Sequence, residues 1–395
     1  MKTERILSID IFRGLTIFMM VFVNELAAVS GIPAWMKHVA ADVNGMTFVD
    51  VVFPAFLFIV GMSIPFAVSN RLAKDSSKVS FWKHTLIRTL GLIILGVYMV
   101  NAEEMNAEAN LIPKRLWSAL LYIAAILIWN NYPKSTERSK QNLYTALKIG
   151  GILILIALFA SYRKGSEGDL IGMTPSWWGI LGLIGWAYLI AILAYMAGTK
   201  KLAYLLALFL GFIFLIAGLK ADVFGELSIF LWLKSQSGHL VHSLIVISGI
   251  LCSAILRGEG IKADAKQKIA YMLLAGMLCL ILAYFMEGFG GISKIKASLS
   301  WALYSSASCF FIFPLVYWLV DMKGRKSWAN FLKPAGTNPL LTYILPALFY
   351  AIAGYGFIPE FLNIGFGGIM RSLLFSFFIL FLADQLTKRS IRLQL

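Results

Sequence analysis

Residues 5–65 read RILSIDIFRGLTIFMMVFVNELAAVSGIPAWMKHVAADVNGMTFVDVVFPAFLFIVGMSIP. Two apolar runs frame this stretch, and at ~1.5 Å rise per residue each is long enough to cross a ~30 Å hydrocarbon layer as a helix. Yet the runs and their connection carry Asp10, Arg13, Asn24, Glu25, His38, Asn44 and Asp50. A charge at the centre of a membrane helix costs roughly 2.5–3.5 kcal/mol on insertion scales, so a chain that keeps several ionisable groups in its first hairpin uses some of them. The stretch therefore predicts helices through a bilayer, and it marks residues 5–65 as a motif-rich hairpin in which to look for chemistry.

The rest of the chain agrees. At 395 residues, 59% hydrophobic, 14% charged and with a mean hydropathy of +0.78, it is too apolar to fold around an aqueous surface. No segment alternates with the period of two that a membrane barrel needs. The expected fold is an all-α integral membrane protein, a polytopic helical bundle of about 11–12 transmembrane helices forming a single domain over 1–395. Twelve spans are expected near 8–30, 51–69, 84–100, 116–132, 145–161, 177–197, 202–219, 239–256, 269–286, 300–320, 338–355 and 368–384. The first run carries Asp10 and Arg13 and lacks a small-residue cleavage site, so it is expected to stay as a span.

The formal charge of +15 first suggests nucleic acid, but its distribution argues otherwise. With the N-terminus placed in the cytoplasm, inward segments hold 23 Lys and Arg and outward segments 9, with Arg13, Arg88 and Arg371 inside spans. That bias is the positive-inside signature, so the charge reports topology and no nucleic acid is expected as a partner. Both termini are then cytoplasmic. Acids such as Glu103, Glu104, Glu108, Glu167 and Asp169 collect outside. The connections are too short for a separate soluble catalytic domain, which confines any chemistry to the helices and their mouths. Cys252, Cys279 and Cys309 lie in apolar runs without metal-ligand spacing and read as small buried hydrophobes.

Each polar residue has a plain structural reading beside a functional one. Asp10 and Arg13, three apart, meet on one helix face as an ion pair. Asn24 suits a hydrogen bond between membrane helices. His38, in the outer hairpin beside Lys37 and near Asp42, is either solvated or a base suited to proton transfer near neutral pH. Thr47-Phe-Val-Asp50 resembles a capping box, with the carboxylate at the positive end of the second span. His239 and His242 share a helix face but lack an accompanying carboxylate or thiol, so no metal is expected. Lys294 follows Gly290-Gly291 as a loop cation, and Asn338 reads as an N-cap.

The strings Ser8-Ile-Asp10-Ile-Phe-Arg13-Gly14, Val21-Phe-Val-Asn24, Met36-Lys-His38, Asn44-Gly45-Met-Thr47 and Asp50-Val-Val-Phe-Pro54-Ala-Phe-Leu-Phe-Ile-Val-Gly61 together resemble the heparan-α-glucosaminide N-acetyltransferase family of multispan membrane acyltransferases. The likeness is strongest over the first 100 residues or so. There are departures: the family's His-Ala-x-Trp-Asn-Gly is here His38-Val-Ala-Ala-Asp42-Val-Asn44-Gly45, and its Ile-Pro-Gly-Val-Leu-Gln-Arg is Ile112-Pro113-Lys-Arg-Leu-Trp-Ser118. The resemblance implies transfer of acetyl from cytoplasmic acetyl-CoA to the amino group of a glucosamine-type sugar, or a glucosamine-ended saccharide, across the bilayer. It implies a multi-pass protein of the bacterial inner (cytoplasmic) membrane, with which a homodimer is compatible. The family's catalytic histidine falls on His38 and its important asparagine on Asn24. Beyond the resemblance, Asp50, Asn44, Glu25 and Lys294 are expected to bind substrate, and Arg13, Arg88, Asp10 and Asn338 to hold acetyl-CoA, whose phosphates need cationic partners at the inner mouth, with no metal. An amino-sugar or small-solute transporter is the main alternative, since twelve spans with polar residues inside them are also what secondary carriers show.

Overall fold

The computed structural model describes residues 6–166, 168–199, 201–225, 227–356 and 358–394. Lys2, Arg5 and Lys200 of the charge count, and the acidic Glu167, lie outside these. Among the described residues the chain forms α-helices, short 3-10 and π turns, and isolated bridges, with no strand. The α-helices are α1 (Leu7–Leu26), α2 (Val49–Lys74), α3 (Lys78–Glu104), α4 (Lys114–Trp129), α5 (Arg138–Ser161), α6 (Gly179–Ala197) and α7 (Leu202–Lys220). They continue with α8 (Ser228–Ser235), α9 (Ser237–Arg257), α10 (Ala265–Met286), α11 (Leu299–Tyr317), α12 (Lys333–Thr337), α13 (Pro339–Ala353) and α14 (Gly365–Lys388).

Each of the twelve expected spans coincides with a helix. Ten of the described helices are long and apolar enough to cross a membrane, and α13 is a shorter apolar helix of 15 residues. The remaining expected span falls on α4, which has 16 residues. The protein is thus a polytopic helical membrane protein. The first span is shorter than expected, ending at Leu26 rather than near residue 30. Ser30 instead pairs with the segment before α14, donating to the Asn363 carbonyl at 2.9 Å and accepting from Gly365 N–H at 2.8 Å. Gly31 then turns at φ +64°, a left-handed conformation that glycine adopts without penalty.

The chain divides into two compact units. The first takes Met1–Met19, Pro33–Thr89 and Ile184–Asn330; the second takes Met20–Ile32, Leu90–Leu183 and Phe331–Leu395. In the first, α9 is buried along Leu240–Leu256 and crosses α2 at glycines. A Cβ added to Gly61 would stand 1.9 Å from the Val246 carbonyl oxygen, and one added to Gly249 would stand 1.9 Å from that of Phe58. Without a hydrophobic force between helices in lipid, such close backbone approach is what holds a crossing together. In the second unit, polar handles of buried aromatics do similar work: Tyr98 donates to the Leu155 carbonyl (2.8 Å), Trp117 Nε1 to that of Leu158 (3.1 Å) and Tyr162 to that of Asn101 (2.9 Å).

Loop contacts respect an alternation of twelve spans. Within the first unit the α1–α2 loop meets the α10–α11 loop, where Gly45 N–H donates to the Ile292 carbonyl at 3.0 Å. At the other end of α1, the N–H groups of Leu7 and Ser8 donate to the Asp321 carboxylate at 3.1 and 3.0 Å. Within the second unit the α3–α4 loop meets the α5–α6 loop (Asn106 to Arg163, 3.2 Å), and the α4–α5 loop meets the C-terminal segment (Asn131 to Arg392, 2.8 Å). Every one of these pairs joins segments that the alternation puts on the same side.

Candidate active site

The first site residues come from the turn that opens α2. Thr47 fixes the approach: its hydroxyl donates to the Lys37 carbonyl (2.8 Å) and accepts from Val49 N–H (3.2 Å), while its own N–H donates to Asp50 Oδ2 (3.0 Å). The last of these bonds is the return half of a capping box, as the sequence pattern suggests. Oδ2 also takes the Val39 N–H at 3.3 Å. The other carboxylate oxygen has a different task, since Oδ1 lies 2.7 Å from His38 Nδ1. Asp50 is only 1% exposed whereas His38 is 37% exposed, so solvent or a substrate reaches the imidazole and not the carboxylate behind it. A carboxylate only accepts, so Nδ1 carries the proton and Nε2 of the neutral ring keeps its lone pair.

Behind the pair stands an aromatic wall. Trp301 Nε1 donates to the Asp50 carbonyl at 3.1 Å, and the Trp301 ring meets His242 edge-on with centroids 5.8 Å apart. His242 in turn meets Phe53 at 5.6 Å. Among the described residues no group of three or more His, Cys, Asp or Glu side chains is placed to hold a metal. The three cysteines are free and buried.

Lys294 reaches the site from the α10–α11 loop. Its Nζ lies 3.3 Å from His38 Nδ1 and 3.2 Å from Nε2. A donor aligned with one ring lone pair stands much farther from the other nitrogen, so near-equal distances put the amine against the ring rather than along Nε2. Burial lowers its pKa from 10.5 to about 8, with the Asp50 charge pulling the other way. Asn44 ties the two loops together: its Oδ1 accepts the Ile292 N–H at 2.6 Å, beside the Gly45–Ile292 backbone bond. Next to this turn the same unit holds a cavity of about 720 Å³, lined among others by Phe12, Met46, Thr47, Phe48, Tyr304 and Ile312.

The expected acetyl-CoA residues have other partners. Asp10 and Arg13 pair at 3.0 Å, with Arg13 also donating to Ser63 Oγ at 2.9 Å. Arg88 lies over the Tyr188 ring, 4.8 Å from its centroid, and its Nε is buried with no hydrogen-bond partner among the described residues. Asn338, in the second unit, has its amide committed to the C-terminal segment: Nδ2 donates to Thr387 Oγ1 and the Ile391 carbonyl, each at 2.9 Å, and Oδ1 accepts from Leu393 N–H at 3.1 Å.

Asn24 and Glu25 also belong to the second unit, where they line a cavity of about 430 Å³ with Glu103, Tyr122, Tyr343 and Arg371 among others. Glu25 accepts from the Tyr350 hydroxyl at 2.7 Å and faces Arg371 NH2 at 3.6 Å. Arg371 further donates to Asn363. Sequence reasoning missed the parts played by Trp301, Tyr350, Glu103 and the two cavity tyrosines. Two residues of the second cavity gave a signal, Glu103 as one of the outward acids and Arg371 as a charge inside an apolar run.

A multi-pass membrane protein with a buried carboxylate holding an accessible imidazole is the class these features define. The chain belongs to the family described as Domain of unknown function (DUF5009), whose profile matches residues 5–261. It is 27% identical over 370 residues to the heparan-alpha-glucosaminide N-acetyltransferase of Mus musculus, covering 87% of this chain and 53% of that protein. Against the protein of the same name from Homo sapiens it is 27% identical over 374 residues, covering 86% of this chain and 52% of the relative. The chain spans about half the length of the curated relatives it matches.

Proposed function

We propose that the protein is a membrane-embedded acetyltransferase that moves acetyl from acetyl-CoA to the amino group of a glucosamine-type sugar, with His38 as general base. The observation that carries this reading is the 2.7 Å contact between His38 Nδ1 and the buried Asp50 carboxylate. It fixes the tautomer that leaves Nε2 free to accept a proton, and it supplies a counter-charge for the imidazolium that forms. A protonated amine has no lone pair to attack a thioester, so the sugar reacts as the free amine, its ammonium proton already lost to solvent. In the proposed step the amine nitrogen bonds to the acetyl carbon as Nε2 takes its proton; the carbon–sulfur bond then breaks and the imidazolium returns the proton to the departing CoA sulfur. Direct attack is preferred to an acetyl-histidine intermediate, because the ring needs only one lone pair for it.

The 23 to 9 distribution of basic residues supports cytoplasmic termini, which puts the His38 hairpin on the far, periplasmic side of the bacterial inner membrane that the resemblance implies. The 720 Å³ cavity beside Thr47 is wide enough for the arm of an acyl thioester. Arg13 and Arg88 are the in-span cations offered to the CoA phosphates; Asn338 is left out, its amide being fully used. Asn44 and Lys294 shape the mouth, and Asp50 orients the base. The test is transfer of labelled acetyl from CoA to glucosamine by the purified protein. His38→Ala is expected to abolish it in a protein that still folds, with its melting temperature lowered by the lost bond to Asp50. A wild-type protein that carries glucosamine into liposomes and never acetylates it would overturn the reading in favour of a transporter.

A further inference from the structure

The two cavities differ in what their walls leave unpaired. In the first unit the lining hydroxyls are already used, Thr16 donating to the Phe12 carbonyl and Ser308 to that of Tyr304, both at 2.9 Å. In the second unit the Asn24 amide, the Glu103 carboxylate and the hydroxyls of Tyr122 and Tyr343 line the cavity with no hydrogen-bond partner among the described residues. Tyr122 is buried, Tyr343 half-buried and Asn24 and Glu103 exposed, so these groups open onto the cavity with their hydrogen-bonding capacity free for water or a polar ligand. Glu25 is not among them, because Tyr350 and Arg371 already hold it.

We propose that this cavity binds one pyranose ring of the acceptor and recognises it through its hydroxyl groups; the choice of acceptor class rests on the acetyl-transfer reading. The free groups mix acceptors (Glu103), donors (the phenols in one orientation) and an amide that does both, which matches sugar hydroxyls that donate and accept. An anion such as phosphate is a poor fit, since Glu25 and Glu103 both line the walls. A metal ion is equally poor, there being no set of three or more candidate ligands among the described residues. The volume of about 430 Å³ is at the small end of ligand cavities, the size for a single ring rather than a chain. The rim adds a flat platform: Tyr355, 67% exposed, stacks on Tyr350 at 4.2 Å and 11°, and Tyr350 stacks on Phe375 at 5.2 Å. Such a supported ring offers its face to the C–H side of a pyranose.

The experiment is calorimetric titration of the full-length protein in detergent, without acetyl-CoA, using glucosamine and glucose. Glucose is expected to bind within about threefold of glucosamine. Glu103→Gln should weaken both by about tenfold or more, and Tyr122→Phe or Tyr343→Phe by roughly threefold to tenfold, on the usual scale for charged and neutral hydrogen bonds. In the transfer assay the same variants should raise KM for the sugar more than they lower kcat. Binding of glucosamine with none of glucose would overturn the proposal, because the ammonium and not the hydroxyls would then be recognised. Variants that bind and turn over like wild type would also overturn it. Sugar binding weakened by Glu103→Gln in a protein that never transfers acetyl would support the cavity and sink the enzyme.

Discussion

Asp50→Asn isolates what the buried carboxylate does for the imidazole. In the wild-type protein the carboxylate accepts from His38 Nδ1 at 2.7 Å, Thr47 N–H at 3.0 Å and Val39 N–H at 3.3 Å. An asparagine has one oxygen left, and it keeps both backbone donors only by turning its NH2 toward His38. Nδ1 must then accept, which moves the ring proton to Nε2 and removes the lone pair that takes the substrate's proton. General base catalysis is worth roughly 10²–10⁴ in rate, so the loss should fall in that range, about 2.7–5.4 kcal/mol of barrier. The effect on folding is smaller: trading charge-assisted hydrogen bonds for neutral ones costs roughly 1–2 kcal/mol. The assay is the initial rate of acetyl transfer to glucosamine across about pH 6–9, with thermal unfolding followed in the same detergent. Asp50→Asn that keeps a third or more of the wild-type rate while folded would refute the argument, since the tautomer would then not matter.

Lys294 makes the pH dependence specific. Its pKa of about 8 means that below this value an ammonium rests against a ring that must itself become positive during the reaction, and raising the pH removes that opposition. The ratio of wild-type to Lys294→Met kcat/KM, in which the substrate's own titration cancels, should therefore rise through about pH 8; a Met variant dead at every pH would show instead that the amine binds substrate. The same shift acts on stability: between about 8 and 10.5 the unfolded chain holds a proton that the folded one has released, so wild type gains stability as pH rises through that window and Lys294→Met does not, which thermal unfolding at the two ends will read. At the α2–α9 crossing, Gly61→Ala drives a Cβ against the Val246 carbonyl, a backbone atom that cannot swing aside. The cost should reach the top of the usual overpacking range, about 3 kcal/mol, while Gly211→Ala in α7, with nothing within 4 Å of the added atom, should be harmless. Equal melting temperatures for the two variants would disprove the close crossing.

What could be read from the chain follows from the range of each physical signal. Apolar runs are local, and all twelve expected spans lie on helices; the exception in detail is the end of α1, where Ser30 is drawn away by a partner more than 300 residues later. The capping pattern at Thr47 and Asp50 is local too, and the Thr47 N–H does return to Asp50. What the pattern conceals is that a carboxylate has two oxygens. One satisfies the helix start while the other takes His38, twelve residues earlier, so a structural reading and a functional one are both true of the same side chain. Asn338 shows the reverse case. Its position before Pro339 suggests a cap, its polarity inside an apolar setting suggests a ligand, and its actual partners 49 to 55 residues downstream are visible in neither. Lys294 lies between these extremes: the alternation of spans puts its loop on the same side as His38, which narrows the field to a few loops, but which of those are neighbours depends on how helices pack laterally. That order is set by contacts such as Gly61 against Val246, where the signal is a missing side chain and leaves no mark in hydropathy.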